Sequence, residues 1–229
     1  MERDPDGTSP ESAMPPPFSW TSFDLTDRLP VAWQDQVIAT AAGADFRQFP
    51  RTPLISREAG RVAHVARGRV HADRVKQELP WLYEFYRGYS LSLVAGLHPQ
   101  GVFPVRDDRY GVVLNVQRGN SMRFECHVDS NPLTGLLFCT DHPEGSGGEL
   151  VFARDPLAGD VAAVEKDCSV IRPQAGHLFV FDGRHHPHYA RPLRSESDLR
   201  VVAVMNFYTE SCPESTRPRE LNRHLYGDS

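Results

Sequence analysis

The chain has 229 residues, of which 40% are hydrophobic, 10% aromatic and 24% charged. This balance is typical of a globular protein and unlike that of a disordered or fibrous chain. With 25 Lys and Arg against 30 Asp and Glu, the net charge is -5, whereas a nucleic-acid-binding domain usually carries a basic excess. No apolar run reaches the roughly 18 residues of a membrane span, and the chain does not open on a signal-peptide pattern. We therefore expect a cytoplasmic protein that binds neither nucleic acid nor membrane.

The first 18 residues are polar and rich in proline. Such a segment cannot bury enough apolar surface to become ordered, so residues 1–18 are predicted to form a disordered tail. No linker or internal repeat divides the rest, and residues 19–229 are predicted to form a single domain. The four cysteines contain no CxxC pair and are expected to be reduced thiols.

The pattern from residue 19 to about residue 100 is mainly helical. A short amphipathic helix is predicted around Val31–Ile38, ending near Gly43. A second apolar set recurs at rough helical spacing until Pro80, namely Val62, Val65, Val70, Val75 and Leu79. The aromatic residues at 81–86 are interpreted as packing of a helix against the core, not as a binding platform.

The chain changes character at about residue 101, and a β-rich core is predicted from there to about residue 210. Short runs of β-branched and aromatic residues alternate with turn clusters. The candidate strands are Val102–Val105, Tyr110–Gln117, Arg123–Val128, Leu133–Cys139, Glu149–Phe152, Ser169–Arg172, His177–Phe181 and Leu199–Tyr208. Together with the preceding helices they indicate an α+β fold, in which helices pack against the outside of an antiparallel sandwich or barrel.

Two His-x-Asp pairs occur, and the motif by itself is a weak signal. His71 and Asp73 lie in a helical pattern, where positions i and i+2 point about 200° apart and cannot share one metal ion. His127 and Asp129 lie at the end of a predicted strand, where i and i+2 point to the same face. This second pair can therefore hold one ion if a third ligand comes from another strand.

The third ligand is sought in the segment GRHHPHYARP, which contains His185, His186 and His188. Two histidines and one carboxylate leave three coordination positions open, an arrangement typical of non-haem Fe(II) oxygen chemistry. The residue pattern leaves the choice among the three histidines open, and each of them can also be an exposed turn residue.

Arg200 opens the apolar run LRVVAVMNFY. Strand alternation places it on one face with Val202, Val204, Asn206 and Tyr208. A guanidinium that faces the inside of a barrel needs an anionic partner, and a dicarboxylate cosubstrate would supply one by bidentate pairing. The alternative is a surface arginine paired with Asp198 or solvent.

These segments together resemble the iron(II)/2-oxoglutarate-dependent dioxygenases, in particular the prolyl-4-hydroxylase-like branch. The resemblance covers about residues 110–208 and rests on HVD at 127–129, GGEL at 147–150, IRPQAGHLFVFDG at 171–183, PHYARP at 187–192 and RVVAVMNFY at 200–208. It implies a double-stranded β-helix core, which is a jelly-roll or cupin-like fold, flanked by N-terminal helices. It also implies an Fe(II) cofactor near the open end of the core and 2-oxoglutarate as cosubstrate.

The resemblance also assigns individual residues. The family's distal histidine is typically followed four residues later by proline, as His188 is by Pro192, so the implied iron ligands and catalytic residues are His127, Asp129 and His188. Arg200 is implied to bind the C5 carboxylate of 2-oxoglutarate. Departures from the family lie nearby, since Val202 stands where many members have Ser or Thr. Gln117 and Phe138 stand at the positions of two tyrosines. Of these, Gln117 is the candidate for a further 2-oxoglutarate contact, with Asn115 behind it on the same strand face.

The implied reaction is the hydroxylation of an unactivated C–H bond with O2, releasing succinate and CO2, with ascorbate as a candidate stimulant. The expected substrate is a small molecule, such as an amino acid or a natural-product intermediate. Arg118, Arg123 and Asn131 are candidates for the mouth of the site, although each is expected to face solvent.

Three alternatives stay open on sequence grounds. One is a cupin-like metalloenzyme that uses the same histidines without 2-oxoglutarate and has no use for Arg200. Another is a hydroxylase that acts on residues of a protein or peptide. The last is a non-catalytic partner-binding sandwich with incidental histidines.

Overall fold

A computed structural model describes residues 20–50, 54–58 and 64–221 of the protein. The predicted tail at residues 1–18 lies outside the described residues. The strands are β1 (Trp20–Asp24), β2 (Asp45–Pro50), β3 (His64–Val70), β4 (Val102–Pro104), β5 (Val112–Arg118), β6 (Leu133–Phe138), β7 (Leu150–Ala153), β8 (Cys168–Ile171), β9 (His177–Phe181), β10 (His188–Ala190) and β11 (Leu199–Thr209). The α-helices are α1 (Trp33–Ala42), α2 (Ala72–Glu78), α3 (Pro80–Phe85), α4 (Leu91–Leu97) and α5 (Val161–Lys166).

The strands form two antiparallel sheets. The large sheet has the order β1-β9-β6-β11-β5-β3-β2, and β4 pairs with the far end of β11. The small sheet has the order β10-β7-β8. Strands that are distant in the chain thus lie side by side, and the long strand β11 is at the centre of the large sheet between β6 and β5.

Alternating side chains of β11 face two different apolar layers. Val201, Ala203 and Met205 belong to the layer between the large sheet and the helices, while Val202 belongs to the layer between the two sheets. The inter-sheet layer consists of Leu136, Phe138, Leu150, Phe152, Ile171, Phe179, Phe181 and Val202. A sheet covered on both faces explains why nearly all residues of β5, β6 and β11 are buried.

One helical stretch anchors the helix layer to the large sheet. Pro80 occupies the first turn of α3, where its missing N–H costs nothing, and the chain continues through a π-helical turn (Tyr86–Ser90) into α4. The Tyr86 hydroxyl donates to the Asn206 carbonyl at 2.7 Å and accepts from the Val105 N–H at 2.8 Å. The prediction that this aromatic segment is helical and packs on the core is therefore confirmed.

Two predictions about secondary structure are wrong. The region from 19 to 100 is mixed instead of mainly helical, because β1, β2 and β3 belong to the large sheet. Val65 and Val70 lie in strand β3 and not in the predicted helix. Of the same apolar set, Val75 lies in α2, Leu79 directly precedes α3, and Val62 lies outside the described residues. The candidate strand Arg123–Val128 is not a strand, and it makes only isolated bridges through His127. No helix in the described ranges is long and apolar enough to cross a membrane.

Candidate metal centre

The segment that carries His127 is tied to two other parts of the chain. The backbone N–H of His127 donates to the His188 carbonyl, and the N–H of His188 donates to the His127 carbonyl, both at 2.9 Å. This reciprocal pair sets the two imidazole rings side by side, with ring centroids 4.4 Å apart. Strand β10 in turn pairs with β7, so the position of His188 is fixed by the small sheet.

Asp129 joins the two histidines. Its backbone N–H donates to the Gly183 carbonyl at 2.9 Å, and its Oδ1 lies 3.5 Å from His127 Nε2 and 3.7 Å from His188 Nε2. One ligand atom from each of the three side chains lies within 4.8 Å of the others. Two imidazole nitrogens and one carboxylate oxygen at such distances can bind one divalent cation.

Backbone carbonyls orient both imidazoles. His127 Nδ1 lies 2.6 Å from the Glu125 carbonyl, and His188 Nδ1 lies 3.0 Å from the His186 carbonyl. Because a carbonyl can only accept, each Nδ1 carries a hydrogen, so in the neutral form of each ring the lone pair is on Nε2, which is directed at the group of three. Orientation of a ligating ring through its other nitrogen is a usual feature of metal sites in proteins.

A hydroxyl orients the carboxylate in the same way. Thr134 Oγ1 donates to Asp129 Oδ2 at 2.7 Å, which leaves Oδ1 facing the histidines. Asn131 Nδ2 donates to Thr134 Oγ1 at 2.8 Å, so the hydroxyl hydrogen is free to point at Asp129. The role of Thr134 could not be predicted from the sequence, because its proximity to Asp129 depends on how β6 packs.

The protonation states suit a cation. Burial lowers the pKa of His188 to about 4, so this imidazole is neutral at pH 7. Burial by itself would raise the pKa of Asp129, but the two neighbouring imidazoles and the Thr134 hydroxyl lower it to about 2. The three groups therefore present an ionised carboxylate and an unprotonated His188 nitrogen near neutral pH.

Gly183 provides the space for this arrangement. A Cβ atom at this position would come within 2.8 Å of His188 Cε1 and closer still to Asp129 Oδ2. Any side chain here would therefore displace the two groups, which explains why the turn after β9 has glycine next to the site.

The three candidate histidines of the GRHHPHYARP segment have different environments. His185 is exposed. His186 is buried, and its Nδ1 lies 3.0 Å from the Ala153 carbonyl. His188 is the member of the segment that joins His127 and Asp129 among the described residues.

Arg200 is 2% exposed and lies on the face of β11 that is turned toward the small sheet. Its Nε donates to the Gly148 carbonyl at 2.8 Å, and its guanidinium carbon lies 5.6 Å from the centre of the Phe138 ring. Burial lowers its pKa to about 10, which leaves it charged at pH 7. Phe138 thus packs against the guanidinium.

A cavity, which we call the inner cavity, connects Arg200 with the group of three. Its lining includes Asn115, Phe124, His127, Asp129, Thr134, Leu136, Leu150, Phe181, His188, Tyr189, Ala190, Arg200, Val202 and Val204. A small ligand in this cavity can contact the guanidinium and a bound cation at once.

Gln117 lies opposite Arg200 in the β5–β11 register, and its Nε2 donates to the Arg191 carbonyl at 3.1 Å. It is not among the described residues that line the inner cavity. Asn115 does line it, and Asn115 Oδ1 is buried without a hydrogen-bond partner in the described part of the chain. The role of Gln117 stays a prediction, while Asn115 is the polar side chain of β5 that reaches the cavity.

A second cavity, which we call the outer cavity, adjoins the first. Its lining includes Ile55, Arg67, Arg69, Val113, Asn115, Phe124, Glu125, His127, Asp129, Ser130, Asn131, Val204, Asn206, Arg217 and Leu221. The two cavities therefore meet at His127 and Asp129. Sequence reasoning missed Arg67, Arg69 and Arg217, since nothing in the local pattern relates β3 or the segment after β11 to the HVD motif.

The three residues that were predicted to line the mouth of the site lie in different environments. Asn131 is buried and lines the outer cavity. Arg123 instead donates to both carboxylate oxygens of the buried Glu58, at 2.5 and 2.6 Å. Arg118 is exposed and lies over the Phe46 ring, 4.7 Å from its centre.

No protein-family model and no curated protein matches the chain. Solved structures do resemble it. AviO1 from Streptomyces viridochromogenes Tue57 has a TM-score of 0.60 at 16% identity, covering 86% of this chain and 92% of AviO1. An oxidoreductase of the 2OG-Fe(II) oxygenase family from Burkholderia pseudomallei has a TM-score of 0.57 at 13% identity, covering 87% and 89% of the two chains.

A further similar structure is the epimerase SnoN in complex with Fe3+, alpha ketoglutarate and nogalamycin RO. Its TM-score is 0.60 at 12% identity, with 93% of this chain and 88% of SnoN covered. At such identities the likeness shows a shared fold. The predicted α+β fold with a double-stranded β-helix core is confirmed, and the prolyl-4-hydroxylase-like branch stays a prediction.

Proposed function

We propose that the protein is an Fe(II)/2-oxoglutarate-dependent oxygenase. The observation that carries the proposal is that a His-Asp-His group and a buried arginine line one cavity, the inner cavity. The donor set suits iron(II), because it offers two imidazole nitrogens and one carboxylate oxygen, each oriented by a second hydrogen bond. The fold shared with an oxygenase of this cofactor class supports the same conclusion.

His127, Asp129 and His188 would hold the iron, and Arg200 would bind the distal carboxylate of 2-oxoglutarate. When bound, iron(II) and 2-oxoglutarate together would supply the chemistry that oxidises a substrate C–H bond with O2 and releases succinate and CO2. Arg200 is suited to its task because its Nε is fixed by the Gly148 carbonyl, and the rest of its guanidinium is near the cavity. Leu136 of β6, Leu150 of β7 and Phe181 of β9 give the inner cavity an apolar wall.

We propose a small-molecule substrate that binds in the outer cavity. The outer cavity reaches His127 and Asp129, so a molecule bound there lies beside the position where iron would be held. The epimerase SnoN, which has a similar fold, forms a complex with nogalamycin RO. Hydroxylation of an amino acid or a natural-product intermediate, in the cytoplasm, is the specific reaction that the sequence predicts.

Succinate formation from 2-oxoglutarate tests the proposal directly. The purified protein is loaded with Fe(II) without oxygen and then exposed to O2, and we expect succinate to be formed only when metal, cosubstrate and O2 are all present. In parallel, Mn(II) with 2-oxoglutarate at 100 times its Kd should stabilise the fold by about 2.7 kcal/mol in a melting experiment. The absence of both succinate and stabilisation would favour the non-catalytic sandwich, and metal binding without any effect of 2-oxoglutarate would favour the cupin-like alternative.

Replacing Thr134 with valine removes the hydroxyl that orients Asp129 while keeping the shape of the side chain. We expect the affinity for Mn(II), measured by electron paramagnetic resonance titration, to fall about 10- to 100-fold, the usual cost of losing such an orienting group. Thr134→Ser is the matched control, because it keeps the hydroxyl and should retain most of the affinity. Equal affinity in the valine variant and the wild type would contradict the role given to Thr134.

A further inference from the structure

The outer cavity has an unusual set of cationic side chains. Arg67 and Arg69 are two residues apart in β3, so their side chains lie on the same face of the strand. Arg217 comes from the segment after β11. All three line the same cavity as His127 and Asp129. Sites that bind carboxylates and phosphates typically contain several guanidinium groups, since the planar fork matches the geometry of these anions.

Packing restricts each guanidinium. Arg67 and Arg69 are 3% and 4% exposed, and Arg67 lies over the Phe124 ring at 4.5 Å from its centre. Arg217 lies over the Tyr110 ring at 4.2 Å, and its Nη1 donates to Ser130 Oγ at 2.5 Å. Side chains held in this way lose little freedom when a ligand binds, so the cationic wall is preorganised.

The charges of the outer cavity favour an anion. The described lining residues include three arginines against two carboxylates, Glu125 and Asp129. Asp129 faces His127 and His188, where under the proposed function it neutralises part of a divalent cation. Glu125 is then the one other carboxylate among the described lining residues, beside three guanidinium groups, and a cleft in which cationic groups are gathered attracts an anion.

Asn115 is a neutral polar group at the boundary of the two cavities. It lies opposite Arg69 on β3 and opposite Val202 on β11, so the three form one row across the large sheet. Its residue is 8% exposed, and Oδ1 has no hydrogen-bond partner in the described ranges. A buried acceptor without a donor is costly, so Asn115 Oδ1 is available to accept a hydrogen from a hydroxyl or amine that enters the cavity.

We propose that the outer cavity binds the substrate of this oxygenase through a carboxylate or phosphate group held by Arg67, Arg69 and Arg217, with Asn115 accepting a hydrogen bond from a hydroxyl or amine. This inference rests on the proposed function, because the iron and 2-oxoglutarate sites define which cavity is left for the substrate. The substrate is then a small anionic molecule whose reacting C–H bond lies between its anionic group and the histidines.

Relaxation of a small phosphorus probe by Mn(II) tests this assignment. Protein loaded with Mn(II) and saturating 2-oxoglutarate is titrated with methylphosphonate, and the 31P relaxation rate reports both binding and proximity to the metal. The neutral dimethyl ester of methylphosphonate is the matched probe, and 13C-labelled acetate in a separate arm distinguishes a carboxylate site from a phosphate site. We expect enhanced relaxation of at least one anion and none of the neutral ester.

Arginine variants test whether the enhanced relaxation of the bound anion depends on the guanidinium groups. Arg217→Gln should weaken the favoured anion about tenfold or more, as expected for one charge-assisted hydrogen bond, and Arg217→Lys should recover part of the affinity. Arg69→Gln provides a second variant, and a melting curve checks that each is folded. Arg154→Gln is the matched control, because Arg154 is exposed and pairs with the exposed Asp167.

The outcomes separate the two proposals. If 2-oxoglutarate does not bind the wild type, the proposed function fails before the anion is tested. If 2-oxoglutarate binds but no anion is preferred over the neutral ester, or if the preference survives both Arg217→Gln and Arg69→Gln, the anionic substrate site is overturned. Loss of 2-oxoglutarate affinity in the folded Arg217→Gln and Arg69→Gln variants would also overturn it, because these arginines would then belong to the cosubstrate site.

Discussion

The His188→Ala variant is expected to lose succinate formation and to bind Mn(II) more than 100-fold more weakly than the wild type. His188 offers one of the three ligand atoms that lie within 4.8 Å of one another. Loss of a group that merely orients a ligand costs about 10- to 100-fold in metal affinity, so removal of the ligand itself should cost more. The backbone pair between His127 and His188 does not involve the imidazole and should persist.

The matched control is His185→Ala, which removes an exposed imidazole from the same segment. We expect this variant to keep both metal affinity and succinate formation. Because the His188 ring packs against Phe152, with centroids 4.7 Å apart, His188→Ala should also lower the melting temperature. Asp129→Ala separates the two effects, since Asp129 is not part of an aromatic stack and should give the same loss of metal binding. Turnover at the wild-type rate in either folded variant would contradict the assignment of the ligands.

The central strands of the large sheet could be predicted from the sequence because their residues are of the types that fill a buried sheet. The candidate strands at 110–117, 133–139, 177–181 and 199–208 coincide with β5, β6, β9 and β11 to within a few residues. Alternation also predicted which face of β11 carries Arg200, and the inter-sheet cavity confirms that face. In β5 and β11 the polar residues on the face toward the cavities, Asn115, Arg200 and Asn206, fall at positions that an alternation of period two places together.

Strand β3 could not be recognised in the same way. Its side chains toward the cavity are Arg67 and Arg69, separated by Gly68, so the segment has no apolar alternation to identify it. A strand whose inner face serves a binding site departs from the pattern of a core strand, and such departures are expected at functional sites. The valines at 65 and 70 then matched a helical period by coincidence.

The candidate site was predicted in part. His127 and Asp129 were predicted as a pair from their i, i+2 spacing on an expected strand, although the structure has isolated bridges at His127 and no strand there. The choice of His188 over its two neighbours came from the resemblance and not from the residue pattern. The structure adds what depends on tertiary packing, namely the Thr134 hydroxyl on Asp129 and the carbonyls on both imidazoles. No local signal could relate Thr134 in β6 to a carboxylate five residues earlier.

Replacing Arg200 with glutamine is expected to raise the Kd of 2-oxoglutarate about 100-fold while leaving the affinity for Mn(II) nearly unchanged. A hydrogen bond to a charged group contributes about 1.5–3 kcal/mol, and a bidentate pair with the distal carboxylate lies at the upper end of this range. Arg200 is not one of the three ligand residues, so the affinity for Mn(II) should not fall together with the affinity for 2-oxoglutarate. The two constants are measured by isothermal titration, with 2-oxoglutarate added to Mn(II)-loaded protein.

Two further variants make the result specific. Arg200→Lys keeps a positive charge without the planar fork and should recover only part of the affinity. Arg154→Gln removes an exposed guanidinium and should leave the Kd of 2-oxoglutarate unchanged. The cupin-like alternative predicts no 2-oxoglutarate binding for Arg200 to support. An enzyme that does not use 2-oxoglutarate has no use for a guanidinium that is 2% exposed beside the inner cavity. If Arg200→Gln binds 2-oxoglutarate as tightly as the wild type does, the cosubstrate site is not where the buried charge places it.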